Sequence, residues 1–174
     1  MQFLYASEFH APVEALFSFH ERPDAFELLT PHWSGVALVR RTGGLETGAE
    51  VEIEIPLGPF RRRWLAVHTE YEKNRLFTDE QREGPFARWI HSHEFTPLGT
   101  NRSRLTDRVD LALPGGPLVN LAAALPVRLQ LRRLFRYRHE VTRRHLEASA
   151  AAAAGSPGAG RRLGVAGSGS GATD

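Results

Sequence analysis

Gly84–Phe95 reads GPFARWIHSHEF. Taken two residues at a time, Trp89, His91, His93 and Phe95 fall on one face. Arg88, Ile90, Ser92 and Glu94 fall on the other, which is the alternation of a β-strand. The first face carries aromatic rings and both histidines together. It is an apolar wall with polar tips, the kind of surface that lines a small-molecule pocket.

The same period extends on both sides of this strand. Leu76–Arg82 puts Phe77, Asp79 and Gln81 on one face. Arg61–Tyr71 sets Trp64, Ala66, His68 and Glu70 against Leu65, Val67, Thr69 and Tyr71, and both of its faces are mixed, so its inward side stays open. In Ala49–Ile55, Ala49, Val51, Ile53 and Ile55 alternate with three glutamates, which predicts one buried and one solvated face. Gly35–Thr42 is a further strand. Asn101–Leu113 gives Leu105, Asp107, Val109 and Leu111 one face. Turn signals at Thr42-Gly43-Gly44, Pro56–Pro59, Gly84-Pro85 and Pro97–Gly99 separate these runs at short intervals, as in an antiparallel meander.

Gln2–Phe9 also alternates and forms the first strand. Ala11-Pro12 opens a helix with Val13, Leu16, Phe17 and His20 at helical spacing. Pro23 opens a second short one with Phe26, Leu28 and Leu29, stopped by Thr30-Pro31. After Pro114–Pro117 the period is helical again, through Leu121, Leu125, Leu129, Leu131, Leu134, Phe135, Val141 and Leu146. Pro126 is expected to kink this helix or split off its first turns. Arg128, Arg132, Arg133, Arg136, Arg143 and Arg144 mark its wet side. Arg138 is out of step with them and is expected to point inward, toward Asp107 or Asp79.

The chain has 174 residues, a net charge of +2 and no cysteine, which excludes disulfides, thiolate metal sites and a cysteine nucleophile. Lys73 is the single lysine, so the basic pI reflects arginine. A near-neutral domain without aromatic residues interleaved among its arginines does not suit nucleic acid. No apolar run reaches bilayer length, and Met1–Pro12 lacks a signal-peptide pattern. The expectation is a cytoplasmic protein with no membrane insertion, a monomer or homodimer. Residues 148–174 are rich in Gly, Ala and Ser and are expected to be a disordered tail, leaving residues 1–147 as the folded domain.

The order strand, two short helices, six strands, long helix predicts an α+β domain. Its curved, antiparallel, seven-stranded sheet wraps around the C-terminal helix. Four segments carry a resemblance beyond this order: FHAPVEALFSFHERPDAFELLTP (Phe9–Pro31), GPFARWIHSHEF (Gly84–Phe95), SRLTDRVDLALPGGPL (Ser103–Leu118) and LFRYRHEVTRRHL (Leu134–Leu146). They resemble the helix-grip fold of the START and Bet v 1-like (SRPBCC) superfamily, in its bacterial cyclase/dehydrase-like branch. They also resemble a domain fused to some NAD-dependent epimerase-like proteins. The resemblance implies a fold with an internal cavity but no particular reaction.

If the sheet grips the helix, the cavity is lined by Trp64, His68, Phe77, Asp79, Gln81, Trp89, His91, His93, Phe95, Asp107, Phe135 and Arg138. The polar members are expected to hydrogen-bond one another as a seam or to orient the polar end of a ligand. The leading expectation is binding or transport of a small hydrophobic molecule, whether lipid, polyketide or aromatic. One alternative is a polyketide-type aromatase/cyclase or dehydrase. In it His91 or His93 moves a proton while Asp107 or Asp79 sets the tautomer. A second is a protein-interaction module with an incidental cavity. His91-x-His93 with Asp107 has the donor types of a zinc site, with His68 to check. Neighbouring carboxylates favour hydrogen-bonded histidines instead, so no metal and no cofactor is assigned.

Overall fold

The computed structural model describes residues 1–154, and the part of the expected tail from 155 onward lies outside them. Seven strands form one antiparallel sheet: β1 (Gln2–Phe9), β2 (Ala37–Thr42), β3 (Glu50–Leu57), β4 (Phe60–Glu72), β5 (Leu76–Glu83), β6 (Arg88–Gly99) and β7 (Arg102–Ala112). Their spatial order is β1-β7-β6-β5-β4-β3-β2. The strands after β1 are therefore a plain meander, and the first strand closes onto the last.

Two helices, α1 (Val13–Glu21) and α2 (Ala25–Leu29), follow β1, and a 3-10 turn (His32–Ser34) leads into β2. The long helix α3 (Gly116–Ala154) lies over the β1-β7-β6 side. Leu131 and Phe135 of α3 pack on Val109 and Leu111, with Phe3, Tyr5 and Trp89 around them. A second apolar cluster joins Val13, Leu16 and Phe17 of α1 to Phe9, Phe77, Phe95 and Leu105. These two clusters bracket the middle of β5, β6 and β7, which carries the polar residues.

Four expectations are corrected. First, Pro126 does not split the helix, which runs as one element through it. Its missing N–H removes one rung, and the flanking turns keep the rest. The helix also continues to Ala154, past the expected boundary at 147, because a run of alanines is the best of helix formers.

Second, Leu121, Leu125 and Leu129 are 76%, 67% and 59% exposed. The side of α3 turned to the sheet is instead the half-buried Asn120, Ala123, Ala124 and Val127, followed by the buried Leu131. This segment has apolar residues on two faces, and small side chains let the helix approach the sheet.

Third, β3 does not have one buried and one wet face. Val51, Ile53 and Ile55 are half-buried, as are its glutamates. Helix α3 covers the other side of the sheet and leaves this one open.

Fourth, the pairing of β4 with β5 shifts between His68 and Glu70. A one-residue slip reverses the facing of everything beyond it. Tyr71, not Glu70, therefore joins the core beside Phe17.

Candidate functional site

The central residues come from three adjacent strands in register. Asp79 of β5 is directly opposite His91 of β6. His93 of β6 is directly opposite Asp107 of β7. All four point to the helix side, so two carboxylates and two imidazoles form a two-by-two array. Each ring lies between the two acids. His91 Nε2 is 2.8 Å from Asp107 Oδ1, and its Nδ1 is 3.2 Å from Asp79 Oδ2. His93 Nδ1 is 2.8 Å from Asp107 Oδ1, and its Nε2 is 3.7 Å from Asp79 Oδ2.

Asp107 is 2% exposed and is also reached from α3, where His139 Nε2 lies 2.6 Å from its Oδ2. An ionised carboxylate only accepts, so the ring nitrogens of His91 and His139 at these distances carry hydrogen and donate. His93 Nδ1 is equally close but off the hydrogen-bond axis. The two acids thus differ. Asp107 is surrounded by ring nitrogens from two elements. Asp79 keeps 18% of its side chain accessible, and neither of its imidazole contacts is aligned as a hydrogen bond.

The electrostatics follow from this packing. Burial alone raises the Asp107 carboxyl, but His93, His139 and His91 overturn that and hold it well below its ordinary range. Asp79 is likewise raised by burial and brought down further by His91 and His93. For His91, burial favours the neutral ring, while the Asp79 charge and the hydrogen bond to Asp107 push its pKa up to about 9. His20 of α1 goes the other way. It is buried beside Phe95, with Nδ1 2.9 Å from the Leu16 carbonyl, and burial together with nearby His93 lowers it to about 3.

The remaining predicted residues divide into two groups. Phe77 and Phe95 are core, with Phe77 stacked on His93 at 4.0 Å between ring centroids. Phe135 closes the seam from α3, its ring 5.1 Å from that of His91. Gln81 spans the β5–β6 turn, donating to the Phe86 carbonyl and accepting from the Phe86 N–H. His68 is buried opposite Asp79, with Nδ1 unpartnered, and burial lowers its pKa.

Trp64 and Trp89 stand apart from this packing. Together with Phe86 they form an aromatic wall one step along the strands, with centroids 4.8 Å (Trp64–Trp89) and 5.2 Å (Trp64–Phe86) apart. All three rings are half-buried, and the Trp64 indole Nε1 is buried without a partner.

Arg138 is a correction. It meets neither acid, and its Nε donates to the Leu29 carbonyl of α2 at 3.3 Å. Burial lowers its pKa despite the two distant carboxylates. The inward position belongs to His139, one residue on, which the sequence reading missed. The run Leu131, Phe135, His139, Thr142 is buried throughout, and that helical spacing was the available signal.

At the seam, side chains of sheet and helix meet: the Phe135 ring lies against His91, and His139 reaches Asp107. Two clefts of about 400 and 210 Å³ lie outside the sheet–helix interior, the larger bounded by Trp33, Tyr137 and Arg133.

The family model described as polyketide cyclase / dehydrase and lipid transport matches residues 9–135. The chain belongs to this family. His139 lies just past the matched segment.

Solved structures share the fold. The Zhui aromatase/cyclase from Streptomyces sp. R1128 is 12% identical, with 90% of this chain and 99% of that one covered and a TM-score of 0.68. Norcoclaurine synthase from Thalictrum flavum is 12% identical over 86% and 96%, with a TM-score of 0.66. A nucleoside-diphosphate sugar epimerase from Corynebacterium glutamicum is 20% identical over 87% of this chain and 30% of that one, with a TM-score of 0.65. No curated protein matches the chain. Among the described residues no helix is long and apolar enough to cross a membrane.

Proposed function

We propose that this polyketide cyclase/dehydrase-family chain binds a small aromatic or otherwise apolar molecule with one polar end. The observation that carries the reading is the half-open aromatic wall of Trp64, Phe86 and Trp89, with an unpartnered indole N–H, one step along the strands from the Asp79–His91 pair. A buried donor without an acceptor costs about 1–3 kcal/mol, which a ligand oxygen would recover. The uncovered inner face of β3 and β4 supplies the entrance.

Titration with 2-naphthol in EDTA, read by tryptophan fluorescence, tests this. Saturable quenching is expected, weakened about five- to tenfold in Trp89→Ala, the loss of one aromatic contact of roughly 1–1.5 kcal/mol. Quenching that is linear in probe, or unchanged in Trp89→Ala, overturns it.

A second reading, cyclase or dehydrase chemistry, is favoured by one feature. His91 holds a proton well above neutral pH beside an ionised carboxylate, so an acid and a base lie together in an apolar interior. Loss of water from a β-hydroxy thioester, followed by mass spectrometry and abolished in His91→Gln, would establish it.

A further inference from the structure

We infer that Asp79, His91 and His93 form a site for one divalent transition-metal ion, with Asp107 acting behind it as the group that orients the two imidazoles. One donor atom from each of Asp79, His91 and His93 lies within 4.8 Å of the other two. Asp79 Oδ2 is 3.2 Å from the His91 nitrogen and 3.7 Å from the His93 nitrogen. Tetrahedral zinc with bonds of about 2.0–2.1 Å holds its donors roughly 3.3 Å apart. Both separations from Asp79 Oδ2 are therefore within a few tenths of an ångström of that spacing. Neither contact with Asp79 has hydrogen-bond alignment, as holds for donors aimed at a common centre and not at one another.

The second observation concerns the far side of the rings. A metal-bound imidazole typically donates its other N–H to a carboxylate, which fixes tautomer and orientation. Asp107 supplies this for His91 at 2.8 Å, with its own second oxygen anchored by His139 at 2.6 Å. With Nε2–H donated to Asp107, the His91 nitrogen nearer Asp79 is the one left to bind a cation. His93 likewise turns Nδ1 to Asp107 and Nε2 to Asp79.

The sequence pattern paired His91 and His93 with Asp107 as a third donor. The register instead makes Asp107 the outer group and Asp79 the donor. His68, opposite Asp79 on the adjacent strand β4, falls outside the donor group. Two imidazoles with one carboxylate select zinc, cobalt or iron over calcium and magnesium. Three protein donors leave a position for water or a ligand oxygen, and Asp79 retains the accessible surface through which an ion enters. The assignment stands independently of the aromatic ligand.

The test is a Co2+ titration of the EDTA-stripped, dialysed full chain with no organic ligand present. Visible d–d absorbance should saturate at one ion per chain, be displaced by Zn2+ and be indifferent to Mg2+. Asp79→Asn should weaken Co2+ about 100-fold or more, and Asp107→Asn about 10–100-fold. His10→Gln with His32→Gln, two exposed histidines, should change nothing. Because a seam variant can fail to fold, histidine 15N NMR of the unmutated protein is the second measurement. Added Zn2+ should move His91 Nδ1 and His93 Nε2, with the Asp107-facing nitrogens keeping their protons. Failure to bind at millimolar Co2+, or zinc shifts at other histidines, overturns the site. Because the 2-naphthol titration is run in EDTA, the two readings fail separately.

Discussion

Replacing Asp107 by asparagine in the metal-free protein isolates the charge at the centre of the seam. The side chain keeps its shape, so packing is preserved and the change is electrostatic. What is lost is the counter-charge and one acceptor oxygen. The amide turns an N–H2 toward a ring N–H that now has no acceptor. Two charge-assisted hydrogen bonds, at 2.8 Å from His91 and 2.6 Å from His139, are affected. With charge-assisted bonds worth about 1.5–3 kcal/mol and neutral ones about 1, losing one bond and neutralising the other costs about 2–5 kcal/mol, in line with the 3–5 kcal/mol typical for removing one partner of a buried ionic group.

The effect has a pH signature. His91 has a folded pKa of about 9, above its ordinary 6.5. Its contribution is therefore complete below pH 6.5 and is lost as pH rises through 9. The span amounts to about 3 kcal/mol, of which Asp107 supplies a part and Asp79 the rest. The Asp107→Asn penalty should accordingly be smaller at pH 9.5 than at pH 6.5, by about 1–2 kcal/mol. Urea unfolding in EDTA at both pH values, read by circular dichroism and tryptophan fluorescence, measures it. A penalty under about 1 kcal/mol at pH 6.5, or one that does not change with pH, refutes the account of Asp107 as the buried counter-charge.

Three further outcomes are expected. Leu125→Ser, on the exposed side of α3, should change stability by no more than about 0.5 kcal/mol, while Leu131→Ala should cost about 2–4 kcal/mol; comparable losses in urea would mean that α3 presents its other face. His20 is lowered from 6.5 to about 3, so its contribution is complete above pH 6.5 and is lost as pH falls toward 3; unfolding at pH 4.5 should show about 2–3 kcal/mol of this, absent from His20→Gln. Asp79→Asn should cost clearly less stability at pH 6.5 than Asp107→Asn, because Asp79 is partly accessible and receives no aligned hydrogen bond; the reverse order in urea would exchange the roles assigned to the two acids.

The sheet was legible because its strands alternate and its turns are marked by glycine and proline. The face carrying Trp89, His91, His93 and Phe95 turned inward as the alternation required. What stayed hidden has physical reasons. The slip in β4 is a backbone event with no residue signature, so strict alternation from His68 does not place Glu70 and Tyr71. His139 sits in RYRHEVTRRH, where nearly every residue reads as exposed. Its position four residues after Phe135 identifies it, and Arg138, about 100° away around the helix, does not share that face. The leucines of Leu118–Leu129 follow a correct helical period on the face away from the sheet, since periodicity locates a stripe without saying what it meets.

The seam is hard to explain as a stability device. Ionised groups in an interior lose more in desolvation than they recover unless every partner is in place, and well-packed apolar side chains often do as well or better. Here the partners are unevenly distributed. Asp107 is ringed by imidazoles and has no free direction. Asp79, two strands away in the same array, is ionised, partly accessible and not hydrogen-bonded, one step along the strands from an aromatic wall with an unpartnered indole N–H. A purely structural network would close both acids, because an open carboxylate weakens the one thing such a network supplies. A binding site needs the asymmetry: one acid fixed to orient the rings, the other left for what enters. The uncovered side of the sheet follows the same logic, since α3 seals the strands that carry Asp107 and leaves open those that lead to Asp79.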